Sequence, residues 1–579
     1  MKTISRHIAE RLLESNWVKI WFAFSAAAFV GLQISRGNFL AMILNILVAF
    51  ILAIFFEYKY KILDKLFEFK SKRHILISLL IAIYTVIEIL LVFYGLWAWL
   101  LTVAENSIAV GIRSSFSEQF IETALFLLII LTGIVALFFV FAAVYAVVIR
   151  FKKIIDFANN VLLKAELQEL IYFSATMLTF GVFAIILYNL SPIFWGDQSL
   201  HRGSQDFIFG ADIGAVFYRD SQFYFASANI RRLFYPLVQF PFVLLARALG
   251  RIFFFAPFSF VYFVHLFHIA LMAVSGILLA RMCTYNEASS STSGFSKTYF
   301  LLLYTASFPF MVFSTFVERY VLPTFCIILL MYIFIHVPGS KFKSVAALAA
   351  AGTLTPGVVM FPFITYGKNI KKWFKNFFKL AIVFIVICIF CGVLPILFNS
   401  IHDILADLAN HGGTGISINQ RALQFITFVS TCFISAETEL INRIDLTDTA
   451  YGFEYTAYIM SRPKTVNWVG IVMIALSVAG FIINRKLRFA QMSFLWTVFA
   501  FFALFVMGWQ ARENEMFLSA LYFGWAFFVL VFIFFEKLLE KQTVIKYVIY
   551  SVMLIVMAVI NINGIIELVQ FGIQHYPAR

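Results

Sequence analysis

The sequence predicts an all-α polytopic membrane protein with about 13–15 transmembrane helices. Three observations predict it. The 579 residues are 62% hydrophobic, with a mean hydropathy of +0.92. Charged residues make up 13%, about half the roughly 25% of a soluble chain. Apolar runs near the roughly 20 residues that cross a hydrocarbon core recur along the whole chain. This composition excludes a soluble globular enzyme, a disordered chain and a fibrous one.

Read in order, the spans fall at about 17–35, 39–56, 75–103, 120–149, 170–191, 258–282, 299–316, 321–337, 379–398, 467–484, 489–508, 516–535 and 546–566. Residues 233–253 carry Pro236, Pro241, Arg247 and Arg251 and suit an interfacial or re-entrant segment. Residues 344–367 are short for two crossings but hold the turn Thr353-Leu-Thr355-Pro356-Gly357, so a short hairpin is expected. The first nineteen residues are mixed and basic, and no clear small-residue cleavage site follows, so a cleavable signal is not expected.

The net charge of +14 resembles a nucleic-acid signature, but its distribution points to topology instead. With the N-terminus in the cytoplasm, the inner segments hold Lys59 to Arg73, Arg150 to Lys164, Lys368 to Lys379, Arg485 to Arg488 and Lys537 to Lys546. Lysine then lies almost wholly inside, and the outer basic residues are nearly all arginine. Two long loops, about 192–232 and 399–466, fall outside. The chain is expected to divide after the basic linker, into an N-terminal four-helix module (1–165) and a larger core (166–579). No convincing internal repeat is visible, which counts against an inverted-repeat transporter.

Acids are scarce, yet four aspartates gather after the fifth span: Asp197, Asp206, Asp212 and Asp220. Asp212 and Asp220 read as loop solvation. Asp197 follows a membrane helix by a few residues, between Trp195-Gly196 and His201, where a carboxylate faces both water and a lipid headgroup. A tight turn, Phe316-Val-Glu318-Arg319-Tyr320, separates two apolar helices; its charges form either a plain interfacial pair or part of a site. A third outer cluster is Trp509-Gln-Ala-Arg512-Glu513-Asn514-Glu515. Arg512 either binds a phosphate through its planar fork or neutralises its acidic neighbours.

Other motifs carry less. His265 and His268 share one helix face and read as hydrogen-bonded packing residues. His402 and His411 with Asp403 and Asp407 lack metal-site spacing. Cys388 and Cys391, two of five cysteines, sit in an apolar run as small hydrophobes. No Walker motif, HExxH or Gly-rich phosphate loop is present, which argues against an ATP-driven pump.

From about residue 170 onward, the order of parts resembles the GT-C membrane glycosyltransferases, a group that includes protein O-mannosyltransferases and the aminoarabinose transferase acting on lipid A. The matching pieces are Asp197 near the start of the first outer loop, Leu233-Phe-Tyr235-Pro236-Leu, Ile277-Leu-Leu-Ala-Arg281, the turn from Ser314 to Tyr320, and Gly352-Thr-Leu-Thr355-Pro356. The chain departs from the group in having Asp197-Gln198 for a common Asp-Glu pair and Arg231-Arg232 where His-Pro-Pro often stands. The four N-terminal helices lie outside the shared core.

The resemblance implies a GT-C-like core with interfacial helices in the first long loop. It implies transfer of a sugar from a polyprenyl-phosphate-linked donor to a glycan, lipid or protein acceptor outside the membrane. Asp197 is then the base that deprotonates the acceptor. Arg231, Arg232 and Arg512 face the leaving lipid phosphate. His201, Asp206 and Glu318 orient the acceptor or hold a divalent metal ion, which is optional in this scheme, and Tyr235 and Arg319 join the substrate-binding set. The expected location is a bacterial cytoplasmic membrane, with the active site extracytoplasmic and no nucleic acid involved. Two rival readings compete with this one. A flippase for lipid-linked saccharide needs ionisable residues inside helices, and Glu88 and Glu122 are the best available. A surface-polysaccharide polymerase or ligase would use Arg421, Arg443 and Arg462.

Overall fold

The computed structural model describes residue 51, residues 165–194, 208, 232, 234–253, 259–284, 294–337, 342–354, 370–390, 416–435, 438–443, 456–461, 465–511 and 516–577. The four expected N-terminal spans lie outside these residues. The chain divides into two units, and nearly all described residues belong to the one formed by Ala165–Phe384 and Pro395–Arg579.

It is an all-α membrane-protein fold. Its helices are α1 (Leu167–Leu190), α2 (Tyr235–Phe253), α3 (Ser259–Thr284), α4 (Gly294–Ala306), α5 (Phe308–Phe313), α6 (Val321–His336), α7 (Phe342–Thr353), α8 (Ile370–Phe390), α9 (Ile418–Thr431), α10 (Trp468–Asn484), α11 (Arg488–Ala500), α12 (Ala520–Leu538) and α13 (Thr543–His575). Among the described residues five helical segments are long and apolar enough to cross a membrane: Leu167–Leu190, Phe260–Cys283, Arg488–Val506, Met516–Leu538 and Thr543–His575. Val321–His336 and Trp468–Asn484 are shorter apolar helices.

Burial sorts these helices. Every residue of α12 from Ala520 to Ile533 is buried, so it stands at the centre. On α13, Val544, Val548, Val552, Ile555 and Val559 are exposed, as on α1 are Leu170, Ile171 and Leu178. A helix apolar on all sides yet exposed along one stripe fits a lipid-facing rim. The phenylalanine-rich composition acts at the centre: Phe300 meets Phe532 edge-on at 4.9 Å and Phe528 at 5.5 Å.

Several boundaries differ from the sequence expectation. The single span at 299–316 is two helices, α4 and α5, broken at Ser307. Apolarity continues through the break, so hydropathy could not reveal it. Asn561 on α13 compensates for the break: its Nδ2 donates to the carbonyls of Ala306 (2.6 Å) and Phe433 (2.8 Å), and its Oδ1 accepts from the Ser435 amide (2.7 Å). The span expected at 379–398 begins at Ile370, because its lysine-rich start still forms helix. α13 has 33 residues and runs well beyond 546–566. The first limb of the expected hairpin is α7; its second limb lies outside the described residues. The second long loop contains a two-stranded antiparallel ribbon, β1 (Thr438–Arg443) with β2 (Thr456–Ser461), which the all-helical expectation lacked.

α10 packs through small residues. A methyl group added at Gly470 would overlap the Ile426 carbonyl, and one at Gly480 the Leu530 carbonyl. Ser477 Oγ donates to Met473 O (2.7 Å), and Asn484 Nδ2 reaches Ile533 O (3.1 Å) across the interface with α12. Such close backbone approach drives helix association where no hydrophobic gain is available. Gly480→Val is expected to cost about 1–3 kcal/mol, the usual range for overpacking. It should lower the thermal midpoint of the detergent-solubilised protein; an unchanged midpoint would contradict this packing.

One end of the bundle is closed by ion pairs. Glu169, in the first turn of α1 and fully buried, accepts from Arg281 Nε (2.8 Å) and Nη2 (2.5 Å) and from Lys297 Nζ (2.5 Å). A carboxylate at a helix start and an arginine in a last turn both suit the helix dipoles. Arg281 Nη1 also donates to Tyr332 Oη (3.4 Å) on α6. Beside this group, Glu536 on α12 accepts from Lys546 (3.1 Å) and Tyr550 (2.9 Å) of α13, and Lys546 reaches Ser296 of α4 (3.3 Å). Helices α1, α3, α4, α6, α12 and α13 are thus tied at this end.

Candidate functional site

At the opposite end of α3 and α6 the chain is recessed. His265 lies about 9 Å along α3 from its start at Ser259. Its Nε2 meets the Ser314 carbonyl (3.1 Å), in the turn after α5. A carbonyl only accepts, so Nε2 carries the proton and Nδ1 accepts from Tyr188 Oη of α1 (2.7 Å). The neutral imidazole therefore pins the turn below the helix ends. The turn is low because the helices around it are short: α6 has 16 residues, about 24 Å against a hydrocarbon core of about 30 Å.

The turn carries the charges of the site. Glu318 is fully buried and its Oε1 accepts from the Arg319 backbone amide (2.7 Å); Arg319 is 8% exposed. The Arg232 guanidinium lies 4.7 Å from the Tyr320 ring centroid, within cation–π reach. The Tyr320 ring packs at 4.5 Å on that of Tyr522 from α12. Arg232, Glu318 and Arg319 all act electrostatically on the Tyr522 hydroxyl, so these two cations and one anion share one neighbourhood. Among the described residues this neighbourhood holds two arginines and one glutamate.

A polar strut holds Tyr320 in place. α11 ends in a π-helical turn, Phe501–Val506, and the chain then passes through Gly508 (φ 67°) and Gln510 (φ 61°), both left-handed. For Gln510 that region is uncommon and needs support from its surroundings. The support is visible: its Nε2 donates to Tyr320 Oη (3.0 Å) and its Oε1 accepts from Ser519 Oγ (2.6 Å).

On the remaining side, Phe234 N donates to Gly352 O (2.7 Å), and the Phe234 side chain occupies the space a methyl at Gly352 would need. This contact joins the start of α2 to the end of α7 and fixes Tyr235, which is 1% exposed, three residues after Arg232.

Of the residues singled out from sequence, the structure brings together Arg232, Glu318 and Arg319, with Tyr235 buried nearby in the chain. Asp197, His201, Asp206, Arg231 and Arg512 lie outside the described residues, as do His402, Asp403, Asp407, His411 and Arg462. Arg421 donates to the Val506 carbonyl (3.2 Å), and Arg443 ends β1. His265 is the hydrogen-bonded packing residue expected. His268 departs from that expectation: it is 2% exposed, and its Nδ1 has no hydrogen-bond partner. Among the described residues no three His, Cys, Asp or Glu side chains group as metal ligands. Sequence reading did not assign Gln510, Ser519 and Tyr522 to the site. Gln510 lies inside the charged cluster read from sequence but has no role assigned there, and only the crossing of α6, α11 and α12 marks Ser519 and Tyr522. Comparison with protein-family models, curated proteins and solved structures finds no match to this chain.

Proposed function

We propose that this chain is a membrane glycosyltransferase, moving a sugar from a polyprenyl-phosphate donor to an acceptor on the extracytoplasmic side. The observation that carries the reading is the recessed Arg232–Glu318–Arg319 cluster. Ionisable residues buried at membrane depth are expensive and mark function by default. Here two arginines and one glutamate lie beside aromatic rings, a surrounding that suits a lipid phosphate. Arg232 and Arg319 offset the charge that develops on the leaving phosphate. Asp197, which follows the buried Phe194 by three residues in sequence, is the proposed base. Phe194 packs against Gly572 just past the end of α1, and α1 delivers Tyr188 to the site. A divalent ion is not needed for these roles.

The Glu169 and Glu536 ion pairs favour an enzyme over a flippase, because alternating access would have to open the end they tie. A polymerase or ligase would likewise use a lipid carrier, with the arginines of the second long loop.

The test uses purified protein with undecaprenyl phosphate mannose and an alcohol acceptor. Asp197→Asn is expected to lower turnover by about 10²–10⁴ and to leave donor affinity unchanged. Full activity in this variant would reject the base. Arg512→Lys keeps the charge but loses the planar fork, so donor affinity should fall; unchanged affinity would remove Arg512 from the phosphate site. Translocation of the lipid-linked sugar in proteoliposomes without transfer would replace the enzyme reading by the flippase.

A further inference from the structure

Asn561 and Gln510 use both the oxygen and the nitrogen of their buried amides. Gln239 on α2 is different. It is 1% exposed, and neither its Oε1 nor its Nε2 has a hydrogen-bond partner. It sits within the buried face of the helix, in the series Tyr235, Gln239, Val243, Ala246, Gly250. α2 runs antiparallel to α3: Phe242 meets Phe267 at 6.0 Å, and the Arg247 guanidinium lies 5.6 Å from the Phe260 ring centroid. That pairing sets Gln239 level with the turn of α3 that carries His268. Two buried polar side chains, both with unmatched atoms, therefore lie at one level of the paired helices α2 and α3. A leucine or methionine at 239 would pack there without the desolvation cost of an unmatched amide.

Resting on the function proposed above, we infer that Gln239 and His268 bind the sugar of the donor, whose phosphate lies at Arg232 and Arg319. The chemistry selects the ligand class. An amide presents one acceptor and one donor group side by side, and neighbouring sugar hydroxyls offer both in return. A phosphate needs donors only and would be repelled by Oε1; an ammonium needs acceptors only. The spacing also fits, since Gln239 lies one helical turn, about 6 Å, beyond Tyr235, and Arg232 precedes Tyr235 by three residues.

The experiment compares binding of undecaprenyl phosphate and undecaprenyl phosphate mannose to the full-length protein in nanodiscs. Gln239→Met keeps the shape and removes both polar atoms. It should weaken the mannosyl lipid by about tenfold or more, leave the bare lipid phosphate within about twofold, and hold or raise the ligand-free thermal midpoint. His268→Phe should show the same selectivity and provides a second, independent variant. Arg232→Gln should weaken both lipids. If Gln239→Met and His268→Phe bind both lipids as the wild type does, or weaken both equally, the sugar assignment is overturned while the glycosyltransferase reading stands. If the wild-type protein binds neither lipid, that reading falls and the inference with it.

Discussion

Replacing Glu169 by leucine is expected to destabilise the protein by about 3–5 kcal/mol, as breaking a buried charge network by removing one partner typically does. Glu169 is fully buried and is the common acceptor for Arg281 and Lys297. Without it both cations remain at the closed end, Lys297 keeping Glu166 (3.0 Å) and Arg281 keeping Tyr332. Neither remaining contact replaces a carboxylate shared at 2.5–2.8 Å. The loss should appear as a large fall in the thermal midpoint of the detergent-solubilised protein. Combining Glu169→Leu with Arg281→Met and Lys297→Met should recover much of it, because an apolar cluster avoids the desolvation of all three charges. A single substitution costing under about 1 kcal/mol, or a triple variant worse than the single one, would contradict this account.

The second large effect is expected at Asn561. Asn561→Leu removes two donated bonds, to Ala306 and Phe433, and one accepted bond from Ser435. The Ala306 carbonyl stands at the break between α4 and α5, where the helix supplies no partner. In hydrocarbon surroundings such a group has no water to turn to. Each unmatched buried group costs about 1–3 kcal/mol, and interhelical bonds in membranes come out lower, so about 2–4 kcal/mol is expected in all. Thermal unfolding again measures it. Asn561→Asp keeps the acceptor for Ser435 and loses both donors, so it too should destabilise. If Asn561→Leu matched the wild type, the break would be held by something other than this side chain.

The consequence for function lies in the recess. The turn from Ser314 to Tyr320 follows the short helix α5, and Asn561 secures the break between α4 and α5 just before it. His265 then fixes the turn's depth through Ser314, and Gln510 fixes Tyr320 within it. The charged cluster thus depends on neutral hydrogen bonds from three other segments. Removing any of these should disturb the site without touching a charge.

Much of the fold was legible in the sequence, because a bilayer demands about 20 apolar residues per crossing and such runs stand out whatever they pack against. α1, α3, α6, α10 and α12 lie close to where hydropathy placed them. Breaks and extensions were not legible. Ser307 interrupts a run that remains apolar on both sides, and α13 continues as helix past its most apolar part. The ribbon of β1 and β2 depends on pairing across twelve intervening residues, a non-local event that a span count does not register.

The candidate site divides in the same way. Composition alone determined that this chain belongs in a membrane, and the scarcity of acids made Glu318 and Asp197 conspicuous. Sequence left open whether Glu318 and Arg319 were an ordinary interfacial pair. Tertiary structure showed both to be buried, because burial depends on the short helices around the turn, and it set Arg232, from a segment 86 residues away, beside Tyr320. Gln239 shows the difference most clearly: in sequence it is one polar residue in an apolar helix, and only the packing of α2 on α3 leaves its amide buried and unmatched. Hydrophobicity is a property of each residue and can be read along a line, whereas desolvation and hydrogen-bond satisfaction belong to the neighbours that folding supplies.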